Sequence, residues 1–169
     1  FYLDMSAHHE QGVQLALMEL ARGADPTVLG FAQEIVIFQQ YELGIMAEQL
    51  RRWDLTVADR EDRAMGWMGM PVLPEDMPGL ASEEEIAAFQ DTEGSEADAM
   101  FLDLMAEHHR GGVHMAAYAA DRAATEGVRE LASRMARNQG VEINEFRQTA
   151  ERLGLDVDIP PFTPPQAEP

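Results

Sequence analysis

One histidine motif occurs twice in this 169-residue chain, and the two copies stand 100 positions apart. Four of the five histidines belong to these copies, as the adjacent pairs His8-His9 and His108-His109. Neutral imidazole is the commonest nitrogen ligand of metals in proteins. Packing alone gives no reason to keep two adjacent histidines in both copies. The motif therefore predicts a paired metal site to which both halves contribute.

A methionine precedes each histidine pair by three residues, at Met5 and Met105, which places it on the same side of a helix. The chain has no cysteine, so metal ligands are limited to nitrogen, oxygen and thioether sulfur. Thioether and imidazole together suit copper, particularly Cu(I), better than iron, whereas nearby carboxylates suit a harder ion. We predict copper and leave another divalent metal open. Core packing is the alternative role for these methionines.

Two Gln-x-x-Glu pairs, Gln39 with Glu42 and Gln139 with Glu142, repeat at the same offset of 100. Such polar pairs are expensive to bury without a partner, and a histidine of the neighbouring helix is the obvious one. The glutamates are expected either to bind metal or to orient an imidazole by accepting its N–H. Without metal, the same residues would form a hydrogen-bonded network that only fixes the fold. The predicted metal residues are Met5, His8, His9, Glu42, Met105, His108, His109 and Glu142.

Helices must position these residues, because their apolar neighbours recur at spacings of three and four. Glycines and an Asp-Pro step mark helix ends, and Ser82 followed by three glutamates predicts a short additional helix to about Gln90. The fifth histidine, His114, falls on the opposite side of its helix from His109 and is expected to be solvated. The four long helices are predicted over residues 2–21, 26–53, 95–125 and 128–153.

Two helical hairpins joined by a long connection predict an all-α fold, a four-helix bundle with a pseudo-twofold axis. We expect a single duplicated domain over residues 1–155, with halves 1–55 and 101–155 and a linker at 56–100. Residues 156–169 form a proline-rich tail that is expected to be extended or disordered. Equivalent residues of the two halves should meet near the axis.

The formal net charge of −19 limits the kinds of partner that the protein can bind. An acidic field repels phosphate backbones and anionic lipid and attracts cations, so we expect a metal ion as partner and no nucleic acid. No apolar run is long enough to span a membrane. The first motif copy begins at Phe1, the first residue of the sequence, which suggests that a leader or anchor was trimmed. A homo-oligomer is left open.

The second motif copy, the weaker first copy, the Gln-x-x-Glu pairs and the Met-Gly-Met-Pro segment resemble the family catalogued as domain of unknown function 305. The resemblance covers residues 1 to about 155, and its motif is clearest from Phe101 to Met115. It implies a ferritin-like four-helix bundle, usually exported from bacterial cells, with copper binding or tolerance in some relatives. An extracytoplasmic location, whether secreted, periplasmic or lipid-anchored, is expected from this resemblance.

The function predicted from the sequence is copper binding or sequestration through the duplicated Met-x-x-His-His motifs. A di-metal oxidoreductase of the ferritin-like type is the main alternative. That class uses several carboxylates per site, whereas this chain offers one repeated glutamate per half, which favours binding over catalysis. A metal-free structural or interaction module is the third alternative.

Overall fold

The computed structural model describes residues 1–163. The regular secondary structure of these residues is helical, apart from one isolated β-bridge between Ala64 and Val72. The predicted all-α bundle is confirmed. In the predicted tail, residues 156–163 contain no helix or strand, and residues 164–169 lie outside the described part. The helices are α1 (Tyr2–Arg22), α2 (Pro26–Arg52), α3 (Glu83–Gln90), α4 (Ser95–Arg122) and α5 (Glu126–Leu153).

The helix ends follow local side-chain chemistry. Asp25 caps α2 by accepting hydrogen bonds from the N–H groups of Thr27 and Val28, and Ser82 caps α3 in a reciprocal box with Glu85. The prediction that the third long helix runs to about Thr125 is wrong, since α4 ends at Arg122. Thr125 has extended backbone as the cap of α5, and the Arg129 guanidinium binds the carbonyl oxygens of the connecting turn.

Two helical hairpins, α1 with α2 and α4 with α5, pack together mainly through α1 and α4. Two clusters of buried side chains fill the space between the helices, and each draws residues from both hairpins. One cluster is rich in methionine and includes Met5, and the other is richer in phenylalanine and leucine and includes Met105. The two motif copies therefore have different surroundings. None of the helices in residues 1–163 is long and apolar enough to cross a bilayer.

The segment between the hairpins is fastened to α1. The Asp4 carboxylate accepts hydrogen bonds from the Met65 N–H and the Trp67 indole, both at 2.8 Å. Further along, the Gln11 side chain exchanges two hydrogen bonds with the backbone of Ala81. These contacts hold the backbone around Pro78 against α1, next to the first histidine motif. Of the loop methionines, Met65, Met68 and Met77 are buried, whereas Met70 is 45% exposed.

A buried pair of carboxyl groups lies where the turn between α1 and α2 meets the start of α4. Asp98 accepts hydrogen bonds from the N–H groups of Ala24 and Asp25. Glu19, fully buried in the last turn of α1, lies beside it. Burial, then the hydrogen bond to Asp98 and the repulsion from it, raise the pKa of Glu19 to about 8. Glu19 is therefore protonated at neutral pH.

Glu19→Gln should flatten the pH dependence of stability. A carboxyl whose pKa is raised from 4.5 to about 8 stabilises the fold fully below pH 4.5 and loses that contribution as the pH rises to 8. The loss amounts to at most about 5 kcal/mol of unfolding free energy, at about 1.4 kcal/mol per pKa unit. Urea unfolding of both proteins across this range measures it. If the unfolding free energy varied equally with pH in the two proteins, the raised pKa of Glu19 would be contradicted.

Candidate metal centre

The four motif histidines lie together inside the bundle, on α1 and α4. Each has no exposed surface, whereas His114 is exposed, as expected. The rings of His8 and His108 meet with their centroids 3.9 Å apart and their planes inclined by 31°. The two inner rings are thus in direct contact across the boundary between the two hairpins.

The outer histidine of each motif is bound to a glutamate. His9 Nε2 lies 2.8 Å from Glu42 Oε2, and His109 Nε2 lies 2.7 Å from Glu142 Oε2. The imidazoles are fully buried, whereas the glutamate side chains keep 14% and 24% of their surface exposed. The same hydrogen bond thus occurs in both hairpins. Each carboxylate links a buried ring to solvent.

The inner histidines bind backbone carbonyls instead. His8 Nε2 lies 3.2 Å from Pro78 O in the crossover segment, and His108 Nε2 lies 2.8 Å from the carbonyl oxygen of His8. A carbonyl oxygen can only accept, so both rings carry their proton on Nε2. Nδ1 of each ring is then a bare lone pair. The two motifs are unequal at this point, because the His8 ring binds the crossover whereas the His108 ring binds the backbone of α1.

Burial keeps the inner rings neutral. Burial first, and then the neighbouring His9, lower the pKa of His8 to about 3. Burial, followed by His8 and His109, also holds the pKa of His108 well below its usual value. At neutral pH the Nδ1 lone pairs of both rings are therefore free of protons.

Glycines one turn beyond the inner histidines make room for this arrangement. A Cβ on Gly12 would lie 2.6 Å from the His108 ring, so glycine lets that ring reach the carbonyl of His8. A Cβ on Gly112 would collide with the side-chain oxygen of Gln139. The cost of about 1 kcal/mol for glycine inside a helix is thus explained by close approach of polar side chains.

Six buried polar atoms at this centre have no hydrogen-bond partner among the described residues. Four are histidine nitrogens, and two are amide oxygens of glutamines that are only 4% exposed. Buried polar atoms are nearly always paired, because leaving one unpaired costs roughly 1–3 kcal/mol. The atoms are Nδ1 of His8, His9, His108 and His109, and Oε1 of Gln39 and Gln139.

A groove of about 260 Å³ between α2 and α5 leads toward the centre. Its lining includes both Gln-x-x-Glu pairs together with Phe38 and Val141. Glu42 and Glu142 therefore stand between the groove and the buried histidines. An approaching cation would meet these carboxylates first.

The predicted residues are not all gathered around one point. Within residues 1–163, no three His, Asp or Glu side chains lie close enough together to hold one ion. Met5 and Met105 are fully buried but belong to different core clusters. Any ion here would have to use two imidazoles, or one with a carboxylate, and complete its ligands with amide oxygen or thioether.

Sequence patterns did not identify every residue at the centre. Pro78, whose carbonyl binds His8, carries no signal for such a role, because any residue offers a carbonyl. The Gln-x-x-Glu pairs were expected to meet a histidine of the neighbouring helix, but the side-chain oxygens of Gln39 and Gln139 have no hydrogen-bond partner among the described residues. The repeat of Gly12 and Gly112 was the available sign that a side chain would approach the helix backbone there.

Comparison with known proteins agrees with this architecture. The family model described as domain of unknown function (DUF305) matches residues 1–150. A Streptomyces coelicolor DUF305 protein, inferred to be secreted, superposes with a TM-score of 0.86 at 34% identity, covering 94% of both chains. A DUF305 fragment from Deinococcus radiodurans superposes with a TM-score of 0.74 at 30% identity, covering 89% of this chain and 93% of the other. No curated protein matches.

A third structure of the same fold is CopM in its Cu(I)-bound form. It superposes with a TM-score of 0.68 at 22% identity, covering 90% of this chain and 94% of CopM. CopM has also been solved with Cu(II) and with silver.

Proposed function

The chain belongs to the DUF305 family, and from that premise we propose that it binds copper as cargo outside the cytoplasm, using the buried histidines of both motifs. His8, His9, His108 and His109 supply nitrogen. Glu42 and Glu142 receive the ion from the groove and orient the outer rings. Met5 and Met105 are the proposed thioether donors.

The observation that carries the proposal is the set of six buried polar atoms without a hydrogen-bond partner. A site that only stabilised the bundle would pair these lone pairs with donors, because unpaired burial is costly. The Nε2 atoms of His8 and His108 donate to carbonyl oxygens, so Nδ1 of each of these neutral inner rings is a buried lone pair without a proton. A cation that accepts electron pairs satisfies such a centre.

The donor set favours copper over other metals. Catalytic zinc uses three protein ligands and structural zinc four, and di-iron bundles use several carboxylates per site. This centre offers paired imidazoles with few carboxylates, and a buried methionine one helical turn before each inner histidine. Cu(I) accepts few ligands and prefers soft ones. The copper-bound and silver-bound forms of CopM, a protein of the same fold, point in the same direction.

The alternative of a di-metal oxidoreductase receives less support. A di-metal centre of the ferritin-like type takes a glutamate from each of two helices and a Glu-x-x-His pair from each of two others. In this chain a methionine stands where that pair would have its glutamate. Binding is therefore the function that these residues favour over redox catalysis.

Exposure to Cu(I), Cu(II), Zn(II) and Fe(II) in turn, followed by gel filtration and metal analysis, tests the proposal. We expect retained copper with Cu(I), at a molar ratio of at least one per chain, and no retained iron. Retention of Fe(II) in preference to copper would favour the di-metal alternative. No retained metal at all would leave the histidines with a structural role and contradict the proposal.

A further inference from the structure

The outer face of α2 is unusually apolar for a surface of so acidic a protein. Ile37, Phe38 and Tyr41 expose 56%, 57% and 67% of their surface. Residues 35–41 carry no charge, in a chain whose net charge is −19. The corresponding positions of α5 offer an internal comparison, because Arg137 and Asn138 stand where Ile37 and Phe38 do. An apolar cluster present on one hairpin only suggests a contact specific to that hairpin.

Two glycines interrupt the same face. Gly30 and Gly44 lie inside α2, and a Cβ at either would meet nothing within 4 Å. Each costs the helix about 1 kcal/mol relative to alanine, and nothing in the single chain compensates for it. In α5 the equivalent positions are Glu130 and Asn144. Close approach of another helix would explain glycine at both places.

These residues form one straight seam along the helix. Successive steps of four and three residues are the spacing at which two helices pack along their length. The seam consists of Gly30, Glu34, Ile37, Tyr41, Gly44 and Glu48.

The seam is complementary to itself when reversed. In an antiparallel pair of α2 helices related by a twofold axis, every large or charged side chain faces a small or apolar one. The facing pairs are Gly30 with Glu48, Glu34 with Gly44, and Ile37 with Tyr41. A parallel pair would instead place like glutamates opposite each other, which is unfavourable.

Charge and size are compatible with a second copy as the occupant. Glu48, at one end of the seam, forms ion pairs with Arg51 and Arg52 at 2.9 and 3.0 Å. Its negative charge is therefore partly neutralised. Ile37 and Tyr41 form the exposed apolar centre of the seam, whereas Phe38 lines the groove at the metal centre. A specific interface buries at least about 1,000 Å² in total, so the other residues of the seam must contribute to the contact as well.

We propose that the protein forms a homodimer through antiparallel packing of the α2 seams of two chains. The seam lies on the side of α2 opposite Gln39, whose side chain points to the metal centre. The dimer and the copper site are thus independent features of the same helix.

Replacing Gly30, Ile37 and Gly44 by the α5 residues at the equivalent positions tests the dimer. The triple variant Gly30→Glu, Ile37→Arg and Gly44→Asn should weaken self-association at least about 100-fold in sedimentation experiments. Its helix content and copper retention should stay unchanged, since α5 carries the same residues in a helix. A wild-type protein that remains monomeric at all micromolar concentrations, or a triple variant that dimerises equally well, would overturn the proposal.

The direction of packing has its own test, because the chain lacks cysteine. Mixed Ile37→Cys and Tyr41→Cys proteins should form disulfides between unlike chains under mild oxidation. Preferential cross-linking of like chains would overturn the antiparallel arrangement.

Discussion

Replacing all four motif histidines by glutamine should lower copper affinity by at least about 100-fold, because even residues that only support a metal ligand contribute about 10–100-fold. Glutamine keeps an N–H donor for the carbonyl oxygens of Pro78 and His8 but removes the imidazole lone pair. The variant therefore separates copper binding from the hydrogen bonds that hold the bundle. Competition against a Cu(I) chelator measures the affinity, and circular dichroism checks the helices.

His114→Gln is the matched control, since His114 is exposed on the same helix as His108. It should leave copper affinity within about twofold of the wild-type value, a change of about 0.4 kcal/mol. Copper retained at full strength by the fourfold variant would show that the buried imidazoles are not the ligands. A large loss in His114→Gln would move the site to the surface of α4.

Gly111→Ala should destabilise the fold by about 3 kcal/mol, the upper end of the usual cost of overpacking. The new Cβ would collide with the carbonyl oxygen of Pro78, and no side-chain rotation can relieve a clash with backbone. The crossover segment would have to move, and with it the carbonyl that binds His8. Urea unfolding measures the loss of stability, and copper affinity should fall as well.

Gly127→Ala provides the comparison, because a Cβ there meets nothing within 4 Å. It should leave stability unchanged or raise it by up to about 1 kcal/mol, through the better helix propensity of alanine. If Gly111→Ala and Gly127→Ala changed the unfolding free energy equally, the tight contact between α4 and the crossover would not contribute to stability.

Local signals in the sequence were sufficient to predict the helices. Asp25 with Pro26, and Ser82 with Glu85, begin helices where expected, because capping depends on residues within a few positions of each other. The end of α4 was misplaced by three residues. Its position depends on Arg129, which binds the carbonyls of the turn from the following helix.

The candidate site was predicted in part. The duplicated spacing anticipated that a histidine of the neighbouring helix would meet each glutamate, and the structure shows that it is the outer histidine of each pair, His9 with Glu42 and His109 with Glu142. The backbone partner of His8 could not be predicted, since it comes from a crossover 70 residues away and is not a side chain. The Glu19 and Asp98 pair was also missed. Glu19 has no counterpart in the second half, where alanine occupies position 119, so the repeat gave no indication of it.

Nitrogen-15 NMR of the histidine rings before and after addition of Ag(I), a diamagnetic substitute for Cu(I), tests the central claim most directly. We expect the two inner rings, His8 and His108, to begin as neutral Nε2–H tautomers, and silver to shift Nδ1 resonances among the buried rings while the Nε2 protons of the inner rings remain. His114 should not respond. Inner rings that begin with the proton on Nδ1, or a silver response confined to His114, would contradict the account.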